Sequence, residues 1–326
     1  MANPITISLR SYGHTADLKA GLIPVDGADL DFIEVVPQVH AFRRMVRAQE
    51  FAVCELAPTT YFIAKCIGHA PYTALPVFFE RRFHHGGFVV REESGITEPK
   101  GLEGQRAGVR SYSGTTGVWT RGVFMNEFGM DNDRVTWVVD DEEHVTQLIL
   151  PPNVEHAPPR SLSSLMASGA IQGGFLSRAD KAANDGHAGL GRAGDAPETA
   201  AYRELVDDAF AKGAEWFGRT GIYPMHSLLV IRDDVLAARP GLARALYDAL
   251  SENKRRHVAA LMDGTAREKI DDRYRAQARV VGGDPLPYGL EANRPSLEAL
   301  MRYAVQQRLI LADKARPVDE LFVPFD

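Results

Sequence analysis

Cysteine is nearly absent: Cys54 and Cys66 are the two in a chain of 326 residues. They have no CxxC spacing and no further thiol to pair with, which excludes a disulfide framework and a zinc-cysteine cluster and predicts two free thiols in a reducing compartment. No apolar run reaches the length that a membrane-spanning helix needs. The N-terminus, "MANPITISLRSYGHTADLKAG", reaches Arg10 before any long apolar stretch, so the reading expects no signal peptide, no membrane partner and a cytoplasmic protein. Basic charge is not in excess either: 37 Lys and Arg face 43 Asp and Glu, a formal charge of -6. Broad electrostatic capture of nucleic acid, which needs a clustered basic surface, is not expected. A local basic pocket stays open.

What the chain has is 45% hydrophobic residues over a length that suits two lobes better than one small domain. "ITISLR" alternates like a strand, and "FRRMVRAQEFAVCELAPTTYFIAKCIG" mixes helical spacings with a short strand around a break at Pro58. "TALPVFF" and "GGFVVR" read as neighbouring strands. "EPKGLEGQRAGVRSYSGTTGVWTRGVFMNEFG" reads as a loop, a strand at Ala107 to Val109, a polar turn and a helix ended by Gly129. A strand in "RVTWVVDDEEHV", a helix then a strand in "SLSSLMASGAIQGGFLSR", a strand in "MHSLLVIRDDVL" and helices starting near Pro240 and at "RPSLEALMRYAVQQRLIL", where Ser296 is a cap candidate, complete an alternating α/β pattern with mostly parallel strands. Lys181 to Thr199 reads as a surface loop; its Gly-x-Gly at 189 to 191 has neither the third glycine nor the preceding strand of a dinucleotide fingerprint.

Three stretches carry residues suited to chemistry. The turn "SYSGTTG", Ser111 to Gly117, offers hydroxyls and backbone N–H groups at a helix start, which suits a carboxylate or phosphate; Thr115 or Thr116 as plain caps is the compatible structural reading. Trp119 follows in the helix, as a stacking wall or as core. In "RRFHHGGFVV" an extended chain puts Arg81, Phe83 and His85 on one face and Arg82 and His84 on the other, so one of the two histidines at most enters a pocket; solvated charges at a strand end are the alternative. Tyr12 and His14 follow the first strand, at the carboxyl end where open α/β sheets place ligands. "DDEEHV" reads as a solvated loop with Glu143 and His144 as weaker candidates, and His226 opens a strand as a structural histidine or an acid/base group. Convergence of His84, His85, His144 and His226 on a metal is the third option, although no HxxxH or HxH spacing supports it.

Taken together, "EFAVCELAPTTYFIA", "ALPVFFERRFHH", the stretch 98–124, "TWVVDDEEHV" and, above all, "GGDPLPYGLEANRPSLEALMRYAVQQRLI" resemble the 4,5-dihydroxyphthalate decarboxylase family nearly end to end. "PYGLEANR", Pro287 to Arg294, is the sharpest mark, whereas "LEGQRAGV" is shared with many solute-binding proteins. The resemblance implies a type II periplasmic-binding-protein-like α/β fold of two lobes with the ligand in a cleft between them, lobe one at 1–94 and 224–326 and lobe two at 95–223. It also implies an arginine, a phenylalanine and a histidine at Arg81, Phe83 and His85. Two positions depart from it, His14 and His84, where the family often has arginine, and so does the smaller, more hydroxylated "SYSGTTG" turn.

The implied activity is cofactor-independent loss of CO2 from a hydroxylated aromatic (di)carboxylate, 4,5-dihydroxyphthalate going to 3,4-dihydroxybenzoate. A benzene carboxylate leaves most readily once its ring carbon is protonated and a para hydroxyl takes up the charge, which calls for an acid, a phenol partner and cations for the carboxylate that stays. On this reading His85 leads as proton donor, His226 or Glu55 faces the phenol, and Arg81, Phe83, Tyr12, His14, Trp119 and the turn with Tyr112, Ser113, Thr115 and Thr116 bind substrate; the acid and base roles are open to exchange. A solute-binding protein that delivers a small aromatic carboxylate to an ABC transporter is the alternative. A small carboxylate is the expected partner, and a homo-oligomer stays open.

Overall fold

The computed structural model describes residues 4–68, 70–158, 161–175 and 201–325. The chain divides into two compact units: Met1–Arg82, Gly221–Glu298 and Arg316–Asp326 form the first, and Phe83–Thr220 with Ala299–Ala315 the second. Residues 83–94 and 299–315 thus belong to the second unit, where the sequence reading set them in lobe one. The strands in chain order are β1 (Ile5–Ser8), β2 (Leu30–Phe32), β3 (Val53–Leu56), β4 (Tyr72–Arg81), β5 (Val89–Arg91), β6 (Arg106–Val109), β7 (Thr136–Val139), β8 (Val154–His156), β9 (Gly173–Gly174), β10 (Tyr202–Glu204) and β11 (Met225–Arg232).

The first unit holds the sheet β2-β1-β3-β11-β4. β1 pairs in parallel with β2 and β3, and β11 runs antiparallel to both β3 and β4. β3 is flanked on both sides, which is why all four of its residues are buried. Ile5, Ile7, Val53, Leu75, Val77, Phe79, Leu229 and Ile231 pack with Leu242, Leu246, Ala249 and Leu250, the apolar stripe of helix Leu242–Asp263. Each leucine so buried contributes roughly 1.5–3 kcal/mol. Pro58 starts rather than breaks the helix Pro58–Ile67, because the first helical position needs no N–H donor. Cys54 and Cys66 are free and buried.

The second unit holds β10-β5-β9-β6-β7-β8, parallel from β9 to β8 and antiparallel at β5 and β10. The helix Thr115–Phe128 is buried from Thr115 to Phe124 and ends at Gly129, whose φ of 67° is a left-handed cap.

Two sequence expectations are corrected. β4 and β5 are not neighbours: β4 pairs with β11, and β5 with β9 and β10. Ser296 is not a cap, since its helix starts at Arg294; its buried Oγ accepts from Tyr223 N (2.8 Å) and donates to Tyr223 O (3.0 Å). The loop expected at Lys181 to Thr199 lies outside the described residues. Among the described residues no helix is long and apolar enough to cross a membrane.

Candidate active site

β1, β3 and β4 run in one direction, so the residues at their carboxyl ends gather along one edge of the first unit's sheet. Arg10, Tyr12 and His14 follow β1, Glu55 lies near the end of β3, and Glu80 near the end of β4. Tyr12 is pinned by its backbone N–H on Thr15 Oγ1 (2.9 Å) and donates its phenol to Glu55 Oε1 (2.6 Å). Arg10 donates its backbone N–H to Glu55 Oε2 (3.0 Å) and Nη2 to the Tyr12 hydroxyl (2.7 Å), and it also hydrogen-bonds Glu80. Arg273, from the helix Lys269–Val281, reaches the other Glu80 oxygen at 3.2 Å. Burial first and Glu55 second raise the Tyr12 phenol well above its ordinary value, so it keeps its proton. Glu80 has a φ of 38°, left-handed backbone in a non-glycine residue. Such strain costs ~1–3 kcal/mol and tends to mark functional sites.

His14 stacks on Tyr12 (4.9 Å between centroids) and on Phe79 (6.0 Å) and lies 5.8 Å from the His257 ring. Neither His14 ring nitrogen has a hydrogen-bond partner. Burial, then the His257 ring, pushes its imidazole down to about 3. His257 Nε2 is 3.5 Å from buried Asp271, and the bare Gly13 lets it approach, since a Cβ there would lie 2.3 Å from His257 Cε1.

The extended face of "RRFHH" does not form. β4 ends at Arg81, 84–87 bend, and the left-handed Glu80 breaks the alternation just upstream. Arg81 is fully buried: Nη1 donates to Tyr223 O (2.8 Å), and Nη2 to Pro287 O (3.0 Å) and Asn293 Oδ1. The guanidinium therefore holds the "PYGLEANR" segment. Both histidines are buried in the second unit, His84 stacked on Trp119 (6.4 Å) and His85 edge-on to Trp216 (5.3 Å). Burial pushes His85 down to about 4. Phe83 packs on Phe210 and Phe217. In the first unit, His226 is half-buried and its Nε2 accepts from Arg82 Nε at 3.1 Å.

The anion-friendly turn does receive a carboxylate, the protein's own. Glu143 accepts from Tyr112 N (2.7 Å), Ser113 N (3.1 Å) and the Ser113 hydroxyl. Gly114, not a threonine, is the helix N-cap, and Thr115 and Thr116 are buried. Tyr112 is core, its ring 4.0 Å from the Arg121 guanidinium and its hydroxyl accepting from Asn132 (2.9 Å). Trp119 is core as well, edge-on to Tyr303. Among the described residues no group of three or more His, Cys, Asp and Glu is placed to hold a metal.

Of the sequence candidates, Tyr12, His14 and Glu55 come together. Arg10, Glu80 and Arg273 were missed. Arg10 and Glu80 carried a readable signal, a charged residue at the carboxyl end of a strand; Arg273 sits in a polar helix and carried none.

No protein-family model matches the chain. A curated 4,5-dihydroxyphthalate decarboxylase of Comamonas testosteroni is 31% identical over 301 residues, 89% of this chain and 87% of that protein. One of Pseudomonas putida is 31% identical over 242 residues, 68% of this chain and 93% of that protein. The fold is that of the periplasmic binding proteins. A periplasmic aliphatic sulphonate-binding protein of Escherichia coli matches with a TM-score of 0.55 at 10% identity, over 99% of this chain and 98% of that one. The alkanesulfonate-binding protein of Xanthomonas axonopodis pv. citri bound to MOPS matches at 0.53 and 10%, over 95% and 96%. A desulfurization enzyme matches at 0.53 and 13%, over 99% and 97%.

Proposed function

Because the chain belongs to the 4,5-dihydroxyphthalate decarboxylase family, we propose that it is a carboxy-lyase whose substrate is 4,5-dihydroxyphthalate and whose products are 3,4-dihydroxybenzoate and CO2. The ring carbon gains a proton, the carbon–carboxylate bond breaks, and its electron pair returns to the ring. Each carboxylate of this substrate has a para hydroxyl that carries the charge in between, so the protein must hold that hydroxyl against a proton acceptor.

The observation that carries the reading is the Tyr12–Glu55 hydrogen bond of 2.6 Å at the carboxyl edge of the sheet. The Tyr12 oxygen accepts the substrate's phenolic proton as its own passes to Glu55, and Arg10, at 2.7 Å, stabilises the phenolate character that develops between them. His14, held neutral and stacked beside Tyr12, provides an uncharged wall for the ring. Burial keeps His85, the leading proton donor of the sequence reading, neutral. With the acid and base roles exchanged, the proton for the ring carbon is assigned to His226, from the ring nitrogen other than the Nε2 that accepts from Arg82.

The test is incubation with 4,5-dihydroxyphthalate and a panel of hydroxylated benzoates and phthalates, following CO2 release and ligand-induced stabilisation together. Stoichiometric CO2 and 3,4-dihydroxybenzoate are expected, with Glu55→Gln lowering kcat by about a hundredfold to ten-thousandfold. Stabilisation without CO2 release would replace the reading with that of a binding protein.

A further inference from the structure

The proton transfers assigned above use one nitrogen of Arg10 and leave Glu80 and Arg273 without a task. Glu80 is 2% exposed and bridges the two guanidiniums, one carboxylate oxygen to each; Arg10 and Arg273 remain 20% and 29% exposed. Within the protein Arg10 donates through Nη2 to Tyr12 and Glu80, and Arg273 through Nη2 to Glu80, with Tyr274 a further side-chain hydrogen-bond partner of Arg273. Both Nε atoms are buried, which leaves the terminal nitrogens as the donors a ligand can reach. Each is also held against an aromatic face, Arg10 at 4.6 Å from the Tyr12 ring centroid and Arg273 at 5.6 Å from that of Tyr274. An arginine has five N–H donors in a planar fork. Two such forks, fixed side by side by a shared buried carboxylate and left partly open, present unused donors from residues distant in sequence.

We propose that Arg10 and Arg273 form a paired fork that selects adjacent carboxylates on an aromatic ring, and that Glu80 is the positioning residue that sets their spacing. The inference rests on the carboxy-lyase reading and adds what distinguishes an ortho-dicarboxylate from a monocarboxylate. A second carboxylate engages the second guanidinium, and that contact is lost when CO2 leaves, so the same pair separates substrate from product. A merely structural bridge between the β1 loop, β4 and the helix Lys269–Val281 would instead affect stability and leave ligand preference unchanged.

The experiment compares binding of benzene-1,2-dicarboxylate and benzoate by titration calorimetry at fixed ionic strength, in the wild type, Arg273→Met, Arg273→Lys and Glu80→Gln, with kcat and KM for 4,5-dihydroxyphthalate alongside. The wild type should prefer the dicarboxylate. Arg273→Met should reduce that preference by about ten- to a hundredfold, the range of a lost charge-assisted hydrogen-bond pair, and raise KM more than it lowers kcat. Arg273→Lys, which keeps the charge and loses the fork, should recover only part of it. Glu80→Gln should lower the preference with both arginines present. An unchanged preference in a folded Arg273 variant, or no preference in the wild type, overturns the proposal; if the Met variant does not fold, the Lys variant decides. Arginine-dependent preference without CO2 release sinks the carboxy-lyase reading and leaves the fork standing, whereas CO2 release indifferent to Arg273 does the reverse.

Discussion

Tyr12 donates its phenolic O–H to Glu55 Oε1 across 2.6 Å, which ties the loop after β1 to the end of β3. Tyr12→Phe removes the hydroxyl that also accepts from Arg10 and leaves Glu55 Oε1 without this donor. Leaving such groups unmatched costs about 1–3 kcal/mol each where they are buried. Steady-state kinetics with 4,5-dihydroxyphthalate should show kcat falling and KM nearly unchanged; a folded Phe variant with full kcat would remove Tyr12 from the chemistry.

Arg81 should prove structural. Its guanidinium satisfies the carbonyls of Tyr223 and Pro287 and the amide oxygen of Asn293, and all of them lose a donor in Arg81→Met. Urea denaturation should register a loss of ~1–3 kcal/mol, the cost of one buried group left unsatisfied, because Asn293 Oδ1 loses its donor while Tyr223 O keeps the Ser296 hydroxyl and Pro287 O keeps Asn293 Nδ2. A variant of wild-type stability with a raised KM would return Arg81 to the substrate.

His85→Ala should likewise act on stability first. The ring fills space against Trp216, and large-to-small changes in a core cost ~2–5 kcal/mol. His84→Ala should do the same through Trp119. Differential scanning calorimetry read beside kcat separates the roles: an unchanged Tm with a hundredfold slower His85 variant would restore it as the proton donor.

Stability should depend on pH through buried histidines. Burial pushes His14 down to about 3 and His85 to about 4, from 6.5. Between those values and 6.5 the unfolded chain binds protons that the folded chain refuses, so this stabilisation is complete above about pH 7 and is lost as the pH falls. Each histidine contributes a slope of about 1.4 kcal/mol per pH unit below its unfolded value. Urea titrations at pH 7.5, 6 and 5 should show the decline, and His14→Gln should make it shallower; a flat profile across that window would contradict the neutral buried state.

The sequence by itself determined the elements whose signals are local. β1 follows from its alternation, β6 from the short strand read at Ala107 to Val109, β11 from an apolar run, the helix Thr115–Phe128 from its polar start and Gly129, and Tyr12 and His14 as candidates from their place after a strand. Periodicity and caps act within a few residues, so they can be read without knowing the fold. Glu55, by contrast, meets Tyr12 because β1 and β3 pair in parallel, and Glu80 meets Arg10 and Arg273 across separations of 70 and 193 residues. The face expected for Arg81, Phe83 and His85 failed because strand alternation holds only while the strand lasts, and β4 ends at Arg81 after a left-handed Glu80. Likewise the carboxylate in the turn is Glu143, placed there because β6 and β7 are parallel neighbours and the segments leaving them meet at one end. Which side chains meet at a sheet edge depends on strand order and direction, and only the tertiary structure decides these, because the energy of pairing two distant strands is not a property of either stretch alone.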